Sequence, residues 1–178
     1  MSEVIKLPEP DELSHLRAVK VDDIVQEIKR LLTEQTIPAI YRNQVLSDRT
    51  RRYELKAGIK SGPVEILHTL LGIELKVGRR RLLCPDLATV RYLAVFARIG
   101  VETVAIPYDI TRVSRIADEL ESVWQKMMLL IEHLTAQRSE RLKSMVRTRL
   151  IAEIREEIVK AGAGDRVPKF NQTTRQRR

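Results

Sequence analysis

Two aspartates follow short apolar runs, and they are the residues best placed to do chemistry. Asp86 comes directly after Leu-Leu-Cys-Pro and Asp109 after Val-Ala-Ile-Pro-Tyr, and a helical pattern follows each. If the two runs are parallel neighbours in one sheet, both carboxylates lie at the edge where open α/β sheets bind ligands. Carboxylates suit Mg²⁺, which prefers oxygen ligands. The pair therefore predicts a Mg²⁺-dependent phosphodiester or phosphoryl enzyme as one alternative function.

Helix capping explains the same two aspartates more simply. An aspartate between a strand and a helix accepts hydrogen bonds from the free backbone N–H groups of the first helical turn. The three histidines lie in separate segments without metal-ligand spacing, and no phosphate-binding glycine loop is present. Cys84 is more typical of a small core residue than of a nucleophile. We therefore lean towards a non-enzymatic function and assign no catalytic residue.

Basic residues are unevenly distributed along the chain, which has a net charge of +8. Residues 1–78 hold twelve acids and twelve bases, whereas residues 79–178 hold twelve acids and twenty bases. Such a surface suits a polyanion. We predict weakly selective, mainly electrostatic binding of nucleic acid, including DNA. The predicted phosphate contacts are Arg51, Arg52, Arg79, Arg80, Arg81, Arg147 and Arg149.

Two tyrosines lie among the bases of residues 42–60. Tyr41 and Tyr53 could stack on the bases of single-stranded nucleic acid. The alternative is that both rings cover the edge of the core, and the sequence favours that structural role.

The pattern predicts an α/β or α+β fold with a small mixed sheet. Helices are expected over residues 22–33 and 64–71, an edge segment over 37–41 and a weak strand over 51–57. Residues 73–77 and 80–84 flank Gly78-Arg79 and predict a hairpin. A strand–helix–strand unit is expected over residues 80–107, with the helix from Leu87 to Ile99.

A long stretch without proline or glycine follows from Thr111 to about Lys160. Its apolar residues recur at spacings of three and four and weaken between Ala136 and Glu140, which predicts one long helix or two helices with a hinge there. One unbroken helix of this length would outreach a small domain, so its stripe needs a partner. A coiled-coil homodimer or a partner protein bound through residues 111–160 is therefore the second alternative function.

The predicted organisation has three parts. Residues 1–110 form an α/β body with an N-terminal helix, residues 111–162 a helical arm or hairpin, and residues 163–178 a disordered basic tail. No apolar run is long enough to span a membrane. The single cysteine excludes an intramolecular disulfide, and together with the absence of a signal-peptide pattern it favours the cytoplasm.

Overall fold

The computed structural model describes residues 21–55 and 63–164, and it confirms a fold of mixed α and β content. The helices are α1 (Val21–Leu32), α2 (Ile37–Ile40), α3 (Leu87–Ile99), α4 (Ile110–Leu134) and α5 (Glu140–Ala161), and a π-helical segment (Tyr41–Val45) continues α2. The strands are β1 (Thr50–Glu54), β2 (Val64–Thr69), β3 (Gly72–Val77), β4 (Arg80–Cys84) and β5 (Thr103–Pro107). None of the helices in the described ranges is long and apolar enough to cross a membrane.

The N-terminal part of the described chain is helical throughout. α1 confirms the helix expected over residues 22–33, and its apolar face is buried. The edge segment expected over residues 37–41 was wrong, because these residues form α2. Thr36 caps this helix by accepting a hydrogen bond from Ala39 N, and Pro38 lies in its first turn, where no N–H is needed.

The strands form two small antiparallel sheets. β1 pairs with β5, while β2, β3 and β4 form a three-stranded sheet in that order. The β3–β4 hairpin confirms the expected one, and the order β4–α3–β5 confirms the strand–helix–strand succession. The two outer strands of that succession lie in different sheets, so they are not parallel neighbours.

The helix expected over residues 64–71 was wrong, because residues 64–69 form strand β2. The spacing of Ile66, Leu67, Leu70 and Leu71 fits one face of a helix, and Pro63 fits its first position. β2 instead pairs along its length with β3, from Val64 opposite Val77 to Thr69 opposite Gly72. A short apolar run fits both patterns, and the neighbouring strand decides between them.

α3 lies at the centre of the core and is buried along most of its length. Two buried tyrosine hydroxyls, one on α3 and one on the π-helical segment, form hydrogen bonds with the backbone of strand β5. Tyr92 donates a hydrogen bond to the carbonyl of Ala105 at 2.6 Å, and Ala105 N donates to the hydroxyl of Tyr41 at 2.9 Å. Both tyrosines are fully buried. Strand β5 thus has its central backbone groups satisfied by side chains of the core.

The stretch from residue 110 to 161 is two helices, with a break over residues 135–139. Ser139 caps α5, and Thr135 ends α4. α5 folds back so that Val146, Leu150 and Ile154 join the same hydrophobic cluster as α4 and the strands. The apolar stripe of α5 is therefore covered largely by the rest of the same chain. Ion pairs reinforce this packing, including Lys29 Nζ to Glu153 Oε2 at 2.5 Å.

Candidate nucleic-acid interface

Two arginines and a tyrosine meet at one end of the β1–β5 ribbon. Tyr108 N donates to the carbonyl of Arg49 at 3.3 Å, which extends the strand pairing by one step beyond Thr50 and Pro107. Arg51 lies diagonally across from Tyr108, since it pairs with Ile106. The guanidinium carbons lie 5.5 Å (Arg49) and 6.0 Å (Arg51) from the Tyr108 ring centre. We call Arg49, Arg51 and Tyr108 the Tyr108 cluster.

The Tyr108 cluster is open to solvent and keeps its positive charge. All three side chains are exposed, and Tyr108 retains 49% of its surface. Neither arginine forms an ion pair with a carboxylate in residues 21–55 or 63–164. The ring attracts both cations, because the face of an aromatic ring is electron-rich. The cluster can therefore offer an anion two guanidinium groups that have no carboxylate partner among the described residues.

The acids nearest to the Tyr108 cluster in sequence are already engaged. Asp48 Oδ2 lies 2.6 Å from Arg112 Nε. The Nε–H group does not point at this oxygen, so the contact is an ion pair without a hydrogen bond. Arg112 also donates to the carbonyl of Gln44 at 3.1 Å. Asp109 accepts a hydrogen bond from Thr111 N at 2.9 Å as the cap of α4. Arg112 thus compensates the charge of Asp48, whereas Asp109 keeps its negative charge, and the two arginines of the cluster outnumber it.

Arg52, which was predicted to act beside Arg51, lies on the opposite face of the ribbon. Successive side chains of a strand alternate between faces, and Arg52 pairs with Ala105. Gly164 packs on this second face, where an added Cβ atom would come 2.5 Å from Thr50 Oγ1 and 3.2 Å from Ala105 Cβ. The Tyr41 hydroxyl holds the same segment by donating to the carbonyl of Gly162 at 2.6 Å. Residue 164 is thus anchored beside β1.

Arg79, Arg80 and Arg81 belong to the turn and second strand of the β3–β4 hairpin, in the other sheet. Arg80 and Arg81 line a cleft of about 380 Å³ together with Glu54, at the far end of β1 from Arg49. Arg81 NH1 also lies 3.6 Å from Glu74 Oε2, which is buried without a directed hydrogen bond. Part of the charge of Arg81 therefore compensates an acid within the sheet.

Arg147 and Arg149 lie on α5, far from the Tyr108 cluster. Arg147 precedes Gly162 by fifteen helical residues, which at about 1.5 Å per residue is roughly 22 Å. Arg149 Nε lies 3.3 Å from Asp22 Oδ1 and 3.1 Å from Glu153 Oε1. Arg149 therefore ties α5 to α1, whereas Arg147 remains exposed. The structure does not bring these two residues together with Arg51.

Asp86 and Asp109 both cap helices. Asp86 accepts hydrogen bonds from Thr89 N at 2.7 Å and from Thr89 Oγ1 at 2.9 Å. The strands that precede the two aspartates belong to different sheets, so the shared edge on which the Mg²⁺ prediction depended is not formed. Within the described ranges, no group of three or more acidic, histidine or cysteine side chains could hold a metal ion. Binding of Mg²⁺ stays a prediction.

The remaining candidate side chains are mostly buried. Tyr41 is fully buried, and Tyr53 is half-buried against the core. Burial raises the pKa of the Cys84 thiol to about 11, so the nucleophilic thiolate is scarce at neutral pH. The sequence reasoning missed Tyr108 and gave Arg49 no role. The sequence alone could not show that Arg49 and Tyr108 lie together, because that requires the pairing of β1 with β5 to be known.

No protein-family model, no curated protein and no solved structure matches this chain. The function is therefore argued from the geometry of the Tyr108 cluster and its surroundings.

Proposed function

We propose that the chain binds nucleic acid in the cytoplasm, mainly through phosphate contacts and with weak sequence selectivity. The observation that carries this proposal is the Tyr108 cluster, in which two exposed arginines have no carboxylate partner among the described residues. Arginine presents a planar fork of donors that matches phosphate. Arg80 and Arg81 of β4 line the cleft beside Glu54, at the other end of β1.

The charge of the following sequence supports the same function. Residues 165–178 hold five bases and one acid. They follow Gly164, which packs against Thr50 on the face of the ribbon opposite Arg51. The positive charge of this following sequence favours association with a polyanion.

The first test is the salt dependence of binding to a labelled oligonucleotide. Each phosphate contact contributes about 0.7 to the slope of log affinity against log salt for a single strand. We expect Arg49→Ala/Arg51→Ala to weaken binding and to reduce the magnitude of that slope by about 1.4. Fluorescence anisotropy across a salt series measures both quantities.

A matched control changes two bases elsewhere on the surface. Lys126 and Arg141 are exposed, on α4 and α5 respectively. Lys126 is sixteen helical residues from Ile110, which is about 24 Å. Lys126→Ala/Arg141→Ala removes the same net charge and should alter the slope little. Absence of binding by the wild-type chain at low salt would reject the proposed function. Equal losses in the two double variants would reject the Tyr108 cluster as its site.

A second candidate function, binding of a partner protein, is favoured by the tip of the β2–β3 hairpin. Leu70 and Leu71 are exposed by 106% and 79%, and Leu83 beside them by 56%. Apolar side chains grouped on a protruding tip mark interaction sites. Two tips meeting about a two-fold axis would join only a few residues, whereas a stable interface takes about 20–30 residues a side. We therefore propose that the tip inserts into an apolar pocket of a different protein.

This second candidate is tested by recovering the full-length chain from its host with bound proteins identified by mass spectrometry. We expect Leu70→Ser/Leu71→Ser to lose one specific partner that the wild type retains. Leu129→Ser is the control, because Leu129 is 68% exposed but lies on α4. If the tip variant keeps every partner, the tip does not bind a different protein. The same conclusion follows if light scattering shows that the variant abolishes a homodimer instead.

A further inference from the structure

Tyr108 is the one exposed aromatic side chain in the part of the chain that the structure describes. Tyr41, Tyr92, Phe96 and Trp124 are buried, and Tyr53 is half-buried. Aromatic side chains contribute most to a fold when they are buried. Tyr108 has about half of its surface in solvent, and its hydroxyl forms no hydrogen bond to a described residue. Its ring is thus available for a ligand.

The two arginines do not close off that ring. Guanidinium carbons at 5.5 Å and 6.0 Å from the ring centre lie at the outer range of cation–π contact, which extends to about 6 Å. Two like charges beside one ring also repel each other. An incoming phosphate would relieve this repulsion by drawing the guanidinium groups towards itself. Exposed Ile110 lies two residues beyond Tyr108 in the sequence.

A ligand that satisfies the whole cluster must combine an accessible aromatic face with negative charge. A nucleotide within a single strand has both, since its base is unstacked and its phosphates are free to meet arginine. A duplex offers the phosphates but hides the base faces within its stack. Double-stranded nucleic acid would therefore use Arg49 and Arg51 and leave Tyr108 without a role.

We propose that the Tyr108 cluster binds single-stranded nucleic acid, with an unpaired base stacked on Tyr108 and the adjacent phosphates bound by Arg49 and Arg51. This inference rests on the proposed function and specifies the form of nucleic acid that the chain selects. A phosphotyrosine peptide is the rival ligand, because it also pairs an aromatic ring with phosphate. The net charge of +8 and the five bases of residues 165–178 favour a ligand with many phosphates.

The test separates the contribution of the bases from that of the phosphates. Three labelled probes of equal length are compared by anisotropy with the full chain: oligothymidylate, an abasic strand with the same phosphates, and a duplex. We expect oligothymidylate to bind about 5- to 100-fold more tightly than the abasic strand, the range that one stacked base supplies. Tyr108→Ala should remove that advantage, so that oligothymidylate and the abasic strand bind with similar affinity.

Tyr108→Phe serves as the matched variant, because it keeps the aromatic face and removes only the hydroxyl. It should retain the preference for oligothymidylate, and thermal unfolding of both variants checks that the exposed site tolerates the change. Failure of the wild type to bind any of the three probes overturns the proposed function itself. Equal binding of oligothymidylate and the abasic strand overturns only the stacking inference. Tighter binding of a phosphotyrosine peptide than of oligothymidylate, lost in Tyr108→Ala, would assign the cluster to a different ligand.

Discussion

Tyr41 and Tyr92 place two phenol hydroxyls on the backbone of Ala105, deep in the core. Burial raises the pKa of both phenols above the ordinary value, and for Tyr92 well above it. The unfolded chain exposes the same groups, which ionise near pH 10. Both phenols therefore stay protonated in the folded chain at a pH where the unfolded chain has begun to lose those protons.

The stability of the chain should consequently fall as the pH rises above about 10. A group whose folded pKa is raised contributes its full stabilisation below the unfolded pKa and loses it as the pH approaches the folded value. Each buried phenol can add up to about 1.4 kcal/mol per pH unit to that decline. Tyr92→Phe should decline less steeply in this range. At pH 7 the same variant should lose about 1–3 kcal/mol, because the Ala105 carbonyl loses its buried donor.

Denaturant titrations from pH 7 to 11 measure both effects. Tyr108→Phe provides the control, because its exposed hydroxyl meets solvent in the folded and unfolded chain alike. If Tyr92→Phe and the wild type lost stability in parallel above pH 10, the buried phenol would not be the cause.

At the scale of elements, the two capping aspartates were predictable and their supposed partnership was not. Proline, aspartate and then an apolar helical pattern marked the starts of α3 and α4 correctly. The pairing of the preceding strands depends on contacts far along the chain. β4 pairs with β3, which is adjacent in sequence, and β5 pairs with β1, about fifty residues earlier. Local sequence patterns carry little information about a pairing such as β1 with β5, whose strands are far apart in the sequence.

Asp86→Ala should lower the free energy of unfolding by about 1 kcal/mol, the usual cost of losing a helix cap. Asp86→Asn should cost less, since the amide oxygen can still accept from Thr89 N. Denaturant titration at neutral pH measures both. A Mg²⁺ titration of the melting temperature tests the alternative role in the same variants. A Mg²⁺-dependent rise in the wild type that disappears in Asp86→Ala would establish a metal site at this cap.

The errors over residues 37–41 and 64–71 have the same physical origin. Both segments are short and apolar, so neither contains enough turns to separate a helical from an alternating pattern. Thr36 and Pro38 did carry the signature of a helix start, and the expectation of an edge strand overlooked it. Strand β2, by contrast, is fixed by its pairing with β3.

At the scale of the whole molecule, the hinge between α4 and α5 decides how the apolar stripe of residues 111–160 is used. The sequence located the weak point near 136–140 but left open a straight helix and a second chain. The structure places the stripe of α5 on the common core. Ion pairs of Lys29 and Arg149 bind its flank to α1, and an ion pair of Arg42 binds it to the π-helical segment. Among the described residues of α4 and α5, the large apolar side chains that remain exposed are Ile110, Leu129, Met145 and Val159.

The candidate site shows a similar division between composition and geometry. Charge counts indicated a polyanion, and they named Arg51 among the contacts. They also grouped Arg51 with Arg52, although alternation along β1 sends the two side chains to opposite faces. Arg49 and Tyr108 become neighbours only because β1 pairs with β5. Their backbones form the next hydrogen bond of that pairing, just beyond the two strands.

The packing of Gly164 against Thr50 has a practical consequence for anyone who labels this chain. Its positive φ of 74° and the missing Cβ let the backbone pass where a larger residue would collide. A dye or purification handle fused directly after residue 164 would therefore begin beside Thr50, on the face of the ribbon opposite Arg51. Such an attachment would report on that second face, and it would also crowd it.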